Sequence, residues 1–286
     1  MKRIGIIGGG PAGLMAAICA KNKNNHVTIF EANDKAGKKL LMTGGGRCNI
    51  TNSAYFEDFL ENVVTNKKFI YSAFDNYALL NFLNQNGLET IIEEDGRIFP
   101  KSEKATDVLR FFERQIIEKE IDLRTKTKIK KVYKDEVFYL TDQDDKTYTF
   151  DYLIIATGGK SYPRTGSDGN GYLLASKLGH KIITTKAVLV PIFINNKLSL
   201  RAQSFRDVRL NIKTSDENIS VSGDLLINGN FLTGPAALRA SSFIVDKNIV
   251  DFSIDFLPDL TYNELEKNIL YFLNENPKKT LAYEKW

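Results

Sequence analysis

A chain of 286 residues that is 43% hydrophobic and 26% charged has an ordinary globular composition, with enough length for a sizeable core and more than one domain. Its 39 basic and 35 acidic residues leave a net charge of +4, too small an excess to indicate a nucleic-acid partner. Cys19 and Cys48 are too few for a disulfide framework, which indicates a reducing compartment. There is no signal-peptide pattern and no apolar run of membrane-spanning length, so we expect a cytoplasmic protein without a membrane partner.

The N-terminal stretch "KRIGIIGGGPAGLMAAICAKNKNNHVTIFEA" predicts a βαβ unit. Residues 4–7 form an apolar run typical of a strand buried on both faces. Residues 8–13 then satisfy the G-x-G-x-x-G motif, residues 14–21 have helical character, and a second strand ends at Glu31. This order predicts a dinucleotide-binding fold.

Each residue of the motif has an expected role. Gly8 makes the tight turn, Gly10 lets a pyrophosphate approach the backbone, and Gly13 lets the helix pack on the strand. Pro11 and Ala12 open the helix, whose N-terminal N–H groups and dipole attract phosphate. Glu31 is expected to accept hydrogen bonds from the ribose hydroxyls. An acid here disfavours a 2′-phosphate, but this unit alone leaves FAD and NAD both open.

A second glycine triplet lies in "GKKLLMTGGGRCNITN", residues 37–52. Three glycines in a row cost backbone entropy, so either a ligand comes close or the turn needs positive φ. The stretch has no helical period and predicts an ordered loop across the open end of the sheet. We interpret Gly44, Gly45 and Gly46 as an anion-binding nest to which Arg47 or Lys39 adds charge. We interpret this loop as a second wall of the cofactor site, which favours FAD over a nicotinamide cofactor alone.

Several motifs in order along the chain carry a resemblance to a known family: "GGGPAG", "GKKLLMTGGGRCNITN", "EDGRIFPKSEKATDV", "LIIATGGKSYPRTGSDGNGY" and "LGH". Together they resemble bacterial flavoproteins described as aminoacetone oxidase family FAD-binding enzymes, or broadly as NAD(P)/FAD-dependent oxidoreductases. The resemblance implies a two-dinucleotide-type FAD domain with inserted β-rich and helical segments. It also implies that residues 44–49, including Cys48 and Asn49, lie near the flavin.

Two features depart from the family pattern. The turn Thr233-Gly234-Pro235 stands where the family has serine-glycine-proline, and Asn228-Gly229 replaces a threonine-histidine pair. The family also returns to the FAD domain with a glycine-aspartate segment against the flavin, which does not appear before Trp286. We therefore expect a chain without this C-terminal segment to bind FAD more weakly.

The rest of the chain alternates helices and short strands. Residues 76–88 and 104–119 predict amphipathic helices, with a tight turn at Asp95-Gly96 between them. Residues 121–156 predict a β-meander, from which we add Ile129 to the expected cofactor contacts. The strand before Thr157 and Gly158 brings backbone to the cofactor again. From about residue 188 to 255 the pattern is strand-rich, and a helix with a Thr261–Glu264 capping box follows.

The expected fold is α/β: a Rossmann-like FAD-binding domain with three layers, a parallel sheet and a β-meander, followed by an inserted β-rich domain and the start of a helical segment. We place the FAD-binding part at residues 1–187, the β-rich domain at 188–256 and the helical segment at 257–286. No internal repeat is present.

The side chains that carry chemistry are few. Cys48 follows Arg47, whose charge could stabilise a thiolate, but without a C-x-x-C pattern packing or flavin contact is favoured over covalent chemistry. Cys19 is expected in the core. His26 and His180 are interpreted as structural, and no grouping of side chains indicates a metal site. No residue is assigned as catalytic; the candidate substrate contacts are Arg97, Tyr162 and Arg164.

Three functional hypotheses follow. The leading one is an FAD-dependent oxidoreductase that acts on a small organic molecule, such as an amine or an enone-like compound, with NADH or NADPH as a candidate reductant. The second is a shortened, inactive relative that holds FAD weakly or not at all. The third, a nicotinamide-only dehydrogenase, is disfavoured by the second glycine loop.

Overall fold

The computed structural model describes residues 1–61, 63, 73–195 and 202–277. The chain divides into two compact units, Met1–Ile183 and Thr184–Trp286. The first unit contains β1 Lys2–Ile7, α1 Pro11–Ala20, β2 Asn25–Phe30, β3 Thr51–Asn52, α2 Phe56–Glu61, α3 Asn76–Gln85, β4 Thr90–Ile92, β5 Arg97–Pro100, α4 Ala105–Glu118, β6 Asp122–Arg124, β7 Ile129–Lys134, β8 Phe138–Asp142, β9 Thr147–Phe150, β10 Tyr152–Ile155 and α5 Asn170–Lys177. The second contains β11 Ile192–Phe193, β12 Gln203–Thr214, β13 Asn218–Asn228, β14 Phe231–Thr233, α6 Pro235–Ile244, β15 Ile249–Asp255 and α7 Tyr262–Glu275.

The first unit is built on a parallel sheet with the order β10-β1-β2-β6. Side chains alternate across it, as the strand period requires. Ile4 and Ile6 point to the helical side with Val27 and Ile29, whereas Ile7 points to the opposite side. The predicted buried strands and the dinucleotide-binding order of elements are confirmed.

Two layers cover this sheet. Helices α1 and α4 bury their apolar faces on one side, with Leu14 and Phe112 in the same core cluster. The β7-β8-β9 meander covers the other side, where Phe150 and Leu140 pack with Phe30. The three-layer Rossmann-like architecture with a β-meander is therefore confirmed.

The segment between β2 and α4 runs from residue 31 to residue 104. It contains a 3₁₀ segment at Leu40–Gly46, helices α2 and α3, and a small sheet with the order β3-β5-β4. Asp75 caps α3, because its carboxylate accepts a hydrogen bond from the Ala78 N–H at 2.7 Å. The predicted turn before Arg97 is confirmed, with Gly96 at a φ of 79° in the β4–β5 hairpin.

The second unit is an antiparallel sheet with the order β11-β14-β13-β12-β15. Val208, Leu210 and Ile212 alternate along β12 and pack with residues of α6 in one buried cluster. The strand-rich prediction is confirmed. The capping box of α7 is confirmed as well: the Glu264 N–H donates to the Thr261 hydroxyl at 3.3 Å, and the Thr261 N–H donates to the Glu264 carboxylate at 2.8 Å.

The described residues contain neither a membrane-spanning helix nor a cluster of metal-ligating side chains. Among the residues that the structure describes, none of the helices combines the length and apolarity needed to cross a bilayer. In the same ranges, no group of three or more histidine, cysteine, aspartate or glutamate side chains lies together as a metal site would require.

Candidate functional site

A cavity of about 380 Å³ lies at the carboxyl ends of β1, β2 and β10, the edge where open α/β sheets bind their ligands. We call it the dinucleotide cavity. Many of the predicted cofactor contacts line it together: Gly8, Gly10, Pro11, Ala12, Glu31, Lys39, Ile129, Thr157 and Gly158.

The three motif glycines have distinct geometric requirements. Gly8 has a φ of 111°, and a Cβ there would lie 2.5 Å from the Ala156 carbonyl oxygen. A Cβ on Gly13 would lie 1.9 Å from the Gly8 carbonyl oxygen, so the helix packs on the turn only because Gly13 lacks a side chain. Around Gly10, in contrast, a Cβ would meet no atom within 4 Å. Its backbone is open to a ligand, as the motif predicts.

The start of α1 provides the donors that a pyrophosphate needs. Gly10 is the N-cap and has no side chain to satisfy the first N–H groups of the helix. Pro11 occupies the first turn, where its missing N–H costs no hydrogen bond. The N–H groups of the first turn and the positive end of the helix dipole therefore face the dinucleotide cavity, which fits the phosphates of FAD.

Glu31 lies at the end of β2 and is only 7% exposed. One carboxylate oxygen accepts the Gly9 N–H at 2.7 Å. The other accepts the Asn33 backbone N–H at 2.8 Å and the Asn33 Nδ2 at 2.6 Å. The carboxylate thus ties the glycine turn to the loop after β2 and still has acceptor capacity for a ribose hydroxyl.

The loop between β10 and α5 closes one side of the dinucleotide cavity. The Asn33 Nδ2 donates to the Thr165 carbonyl at 3.1 Å, and Lys128 pairs with Asp168 at 2.8 Å. The Asn170 Nδ2 donates to the Ile129 carbonyl at 3.0 Å. This bond fixes Ile129, one of the predicted cofactor contacts, at the wall of the cavity. Sequence reasoning missed Asn33, Lys128, Asp168 and Asn170; the polar, glycine-rich stretch "TGSDGNG" was the signal that could have drawn attention to this loop.

The second glycine triplet lies outside the lining of the dinucleotide cavity. Gly44, Gly45 and Gly46 are exposed, with φ values of 56°, 66° and 89°. The turn itself therefore requires glycine, since all three residues have left-handed backbone. A Cβ on Gly45 or Gly46 would meet nothing within 4 Å, so their backbone is accessible. Their contact with a cofactor stays a prediction.

Arg47 is not among the residues that line the dinucleotide cavity. Its guanidinium pairs with Glu93 at 2.6 Å and Glu103 at 2.9 Å, and it lies 4.0 Å from the centre of the Phe99 ring. The hydrogen bonds that the guanidinium donates to Glu93 and then to Glu103 raise the pKa of Arg47 above its usual value. Glu93 and Glu103 thus neutralise the positive charge of Arg47, which was expected to support an anion-binding nest. Of the two cations proposed for that role, Lys39 lines the dinucleotide cavity and Arg47 does not.

Cys48 and Asn49 line a second cavity, of about 380 Å³, that shares Pro11 and Lys39 with the first. Cys48 is buried, and this burial raises the pKa of its thiol, with a smaller opposing effect from Thr43. A thiol with a raised pKa is a poor nucleophile at neutral pH. The expectation that Cys19 lies in the core was wrong: it is exposed, because it follows the buried Ile18 and is rotated off the core face of α1.

The fold and the cavity define the class of protein, an α/β protein with an FAD-binding Rossmann fold. The family described as "HI0933-like protein Rossmann domain" matches residues 2–257, and the chain belongs to it. The expected FAD-binding family is thereby confirmed at this level. The aminoacetone oxidase name and the expected loss of a C-terminal segment stay predictions.

Similar curated proteins include a 3-dehydro-bile acid delta(4,6)-reductase of Clostridium scindens, 29% identical over 98% of this chain and 70% of that protein. A ribosomal RNA dihydrouridine synthase of Escherichia coli is 29% identical over 97% of this chain and 69% of that protein. Among solved structures, the open conformation of a flavocytochrome c3 fumarate reductase has a TM-score of 0.50 at 14% identity, over 76% of this chain and 44% of that one. That likeness concerns the fold alone.

Proposed function

We propose that this chain is an FAD-dependent reductase that saturates a carbon–carbon double bond conjugated to a carbonyl group. The dinucleotide cavity is the observation that carries the proposal, because its uncapped helix and its buried carboxylate suit the phosphates and ribose of FAD. Two similar proteins support the type of reaction, since a Δ4,6-reductase and a dihydrouridine synthase are both named for removing such a double bond.

Different residues are proposed to bind the phosphates, the ribose and the substrate. The first-turn N–H groups of α1 bind pyrophosphate, and Glu31 holds the ribose while it keeps the Gly9 turn in place. Lys39 lies between the two cavities, where its ammonium group, hydrogen-bonded to the Ser161 hydroxyl at 2.9 Å, can attract a substrate carbonyl oxygen. FAD held by these residues would supply, in its reduced form, the hydride for the double bond, with a solvent proton completing the saturation.

The second cavity is the place proposed for the substrate. Its walls are mostly apolar, including Met15, Leu83 and Phe112, and they adjoin the dinucleotide cavity at Pro11 and Lys39. An apolar site beside a hydride donor suits a small, ring-shaped enone. The protonated Cys48 thiol contributes packing there, in keeping with a non-covalent reaction.

An anaerobic half-reaction tests the proposal. The protein is saturated with FAD, the flavin is photoreduced, and a 4-ene-3-oxo steroid or a uridine-containing RNA is added. Return of the oxidised flavin spectrum together with a saturated product is the expected result. A flavin that stays reduced with both substrates, but is oxidised by air, contradicts the proposal; reduction of oxidised flavin by a primary amine would indicate an amine oxidase instead.

A further inference from the structure

Another concave surface, distinct from the second cavity at Cys48, adjoins the dinucleotide cavity. It has a volume of about 650 Å³ and is lined by Lys35, Lys38, Leu41, Met42, Tyr162, Pro163, Arg164 and Thr165. We call it the Tyr162 cleft. It shares Lys38 and the turn from Pro163 to Thr165 with the dinucleotide cavity, so a molecule in the cleft lies next to whatever fills that cavity.

The rim of the Tyr162 cleft is positively charged. Lys35, Lys38 and Arg164 line it, and Asp34 pairs with Lys38 at 2.8 Å. Within the described ranges, neither Lys35 nor Arg164 forms an ion pair. Arg164 and Lys35, the latter attracted by its neighbour Asp34 without a direct ion pair, therefore present positive charge to one opening, which suits a ligand with phosphate groups.

The floor of the cleft is apolar and partly aromatic. The Tyr162 side chain is 66% exposed and Met42 is 56% exposed, although both are large apolar groups. Tyr162 also has left-handed backbone, with φ 55° and ψ 61°, an uncommon and strained conformation for a residue other than glycine. The structure thus holds an aromatic face at the surface, where a planar base can stack on it.

A chain of hydrogen bonds fixes this turn relative to the dinucleotide cavity. The Tyr162 carbonyl accepts the Thr165 N–H at 2.9 Å and the Thr165 hydroxyl at 2.7 Å. The Thr165 carbonyl accepts the Asn33 Nδ2, which also donates to Glu31, and Glu31 accepts the Gly9 N–H. The cleft and the glycine turn are parts of one ordered frame, as a preorganised binding site requires.

We infer that the Tyr162 cleft binds the nucleotide part of the reductant, a nicotinamide dinucleotide, with an aromatic base on Tyr162 and Met42 and phosphates between Lys35 and Arg164. The inference rests on the proposed function, which needs an electron source beside the flavin. NADH or NADPH loses a hydride and becomes NAD⁺ or NADP⁺, and oxidised FAD takes up that hydride with one solvent proton. A single cleft with three cations suits a dinucleotide better than RNA, which requires an extended basic track.

Direct calorimetry with ADP tests the site without reference to turnover. The protein is kept saturated with FAD so that the dinucleotide cavity is filled, and the variants Lys35→Glu and Tyr162→Gly alter residues that line only the cleft. Each variant is expected to weaken ADP binding about tenfold, through charge reversal in the first and loss of stacking in the second. Tyr162→Gly should not lower the melting temperature, because glycine accepts the left-handed backbone. Lys23→Glu is the matched control: it makes the same charge change before β2, at the opposite end of the sheet, and should bind ADP like the parent.

Each contrary outcome has a definite meaning. Absence of ADP binding in the parent, or equal binding in the parent and both cleft variants, overturns the inference. Binding of a uridine RNA that both variants weaken, without any ADP binding, would make the cleft an RNA surface and overturn it as well. If the photoreduced flavin reduces an enone while ADP does not bind, only this inference fails; if ADP binds as expected and no enone is reduced, the proposed function fails.

Discussion

Replacing Glu31 by glutamine tests the central contact of the site, since the change removes one charge and almost no volume. In the native structure both carboxylate oxygens accept hydrogen bonds, one from the Gly9 N–H and the other from two donors of Asn33. A glutamine amide has only one acceptor oxygen. Whichever way it is oriented, its NH₂ group faces either the Gly9 donor or the Asn33 donors, so at least one buried hydrogen bond is lost.

The size of the effect follows from these contacts. Hydrogen bonds to charged groups contribute about 1.5–3 kcal/mol each, and the remaining bonds weaken when the acceptor becomes neutral. Glu31→Gln is therefore expected to lower the free energy of unfolding by roughly 2–4 kcal/mol. It should also weaken FAD binding, because the link between the Gly9 turn and the Asn33 loop is broken on one side and the ribose loses an ionised partner.

Urea unfolding followed by circular dichroism, together with an FAD titration, measures both effects. Glu113→Gln is the matched control, because it makes the same chemical change on the exposed face of α4 and should alter stability by less than about 0.5 kcal/mol. If Glu31→Gln unfolds at the same urea concentration as that control, the hydrogen-bond argument is refuted. If it unfolds earlier but binds FAD with the parent's affinity, Glu31 is structural only and the ribose assignment is wrong.

Three further predictions concern the loops and caps around the site. Gly45→Asn should leave the protein folded, since asparagine accepts left-handed backbone and open space surrounds the site, but should lose FAD because its side chain covers the triplet's backbone; normal flavin absorbance would make the loop a plain turn. Iodoacetamide should alkylate the exposed Cys19 well before the buried Cys48, whose raised pKa leaves little thiolate at neutral pH, and peptide mass spectrometry would reveal the reverse order if we are wrong. Asp75→Ala should destabilise the α3 region by about 1 kcal/mol through loss of its N-cap, with hydrogen exchange of the Ala78 amide as the measurement; unchanged protection there would contradict it.

The local parts of the site were predictable from the sequence because they lie within one βαβ unit. The roles given to Gly8 and Gly13 depend on a turn of six residues, and the structure shows the close approaches that those roles require. The buried position of Glu31 at the end of β2 follows from the same pattern. Hydrophobic periodicity likewise predicted α4 and the strands of the meander.

Contacts that join distant segments were not predictable in this way. Asn33 reaches the carbonyl of Thr165 across the cavity, and no periodicity links two such positions. Arg47 was expected to add charge to an anion nest, and the sequence did not indicate that Glu93 and Glu103 would pair with it beside Phe99; its nearness to a cofactor stays a prediction. The charge of a side chain indicates that it needs a partner, and the three-dimensional fold decides which partner lies nearest.

The edge strand β10 leads into the wall of the dinucleotide cavity, so the stability of this strand affects the proposed cofactor site. Strand β10 pairs only with β1 among the described strands, and Leu153, Ile154 and Ile155 are partly exposed, whereas the facing residues of β1 from Gly5 to Ile7 are buried. An uncharged edge strand lacks hydrogen-bond partners on its outer side and is held less firmly than a central strand. Thr157 and Gly158 follow this strand directly and form part of the wall of the dinucleotide cavity. Fraying at β10 would therefore reach the cavity before it reached the glycine turn, which α1 and β2 hold from both sides. If the adenosine half of FAD binds at Gly10 and Glu31 as proposed, it should accordingly depend less on this edge than the half that would lie toward Thr157.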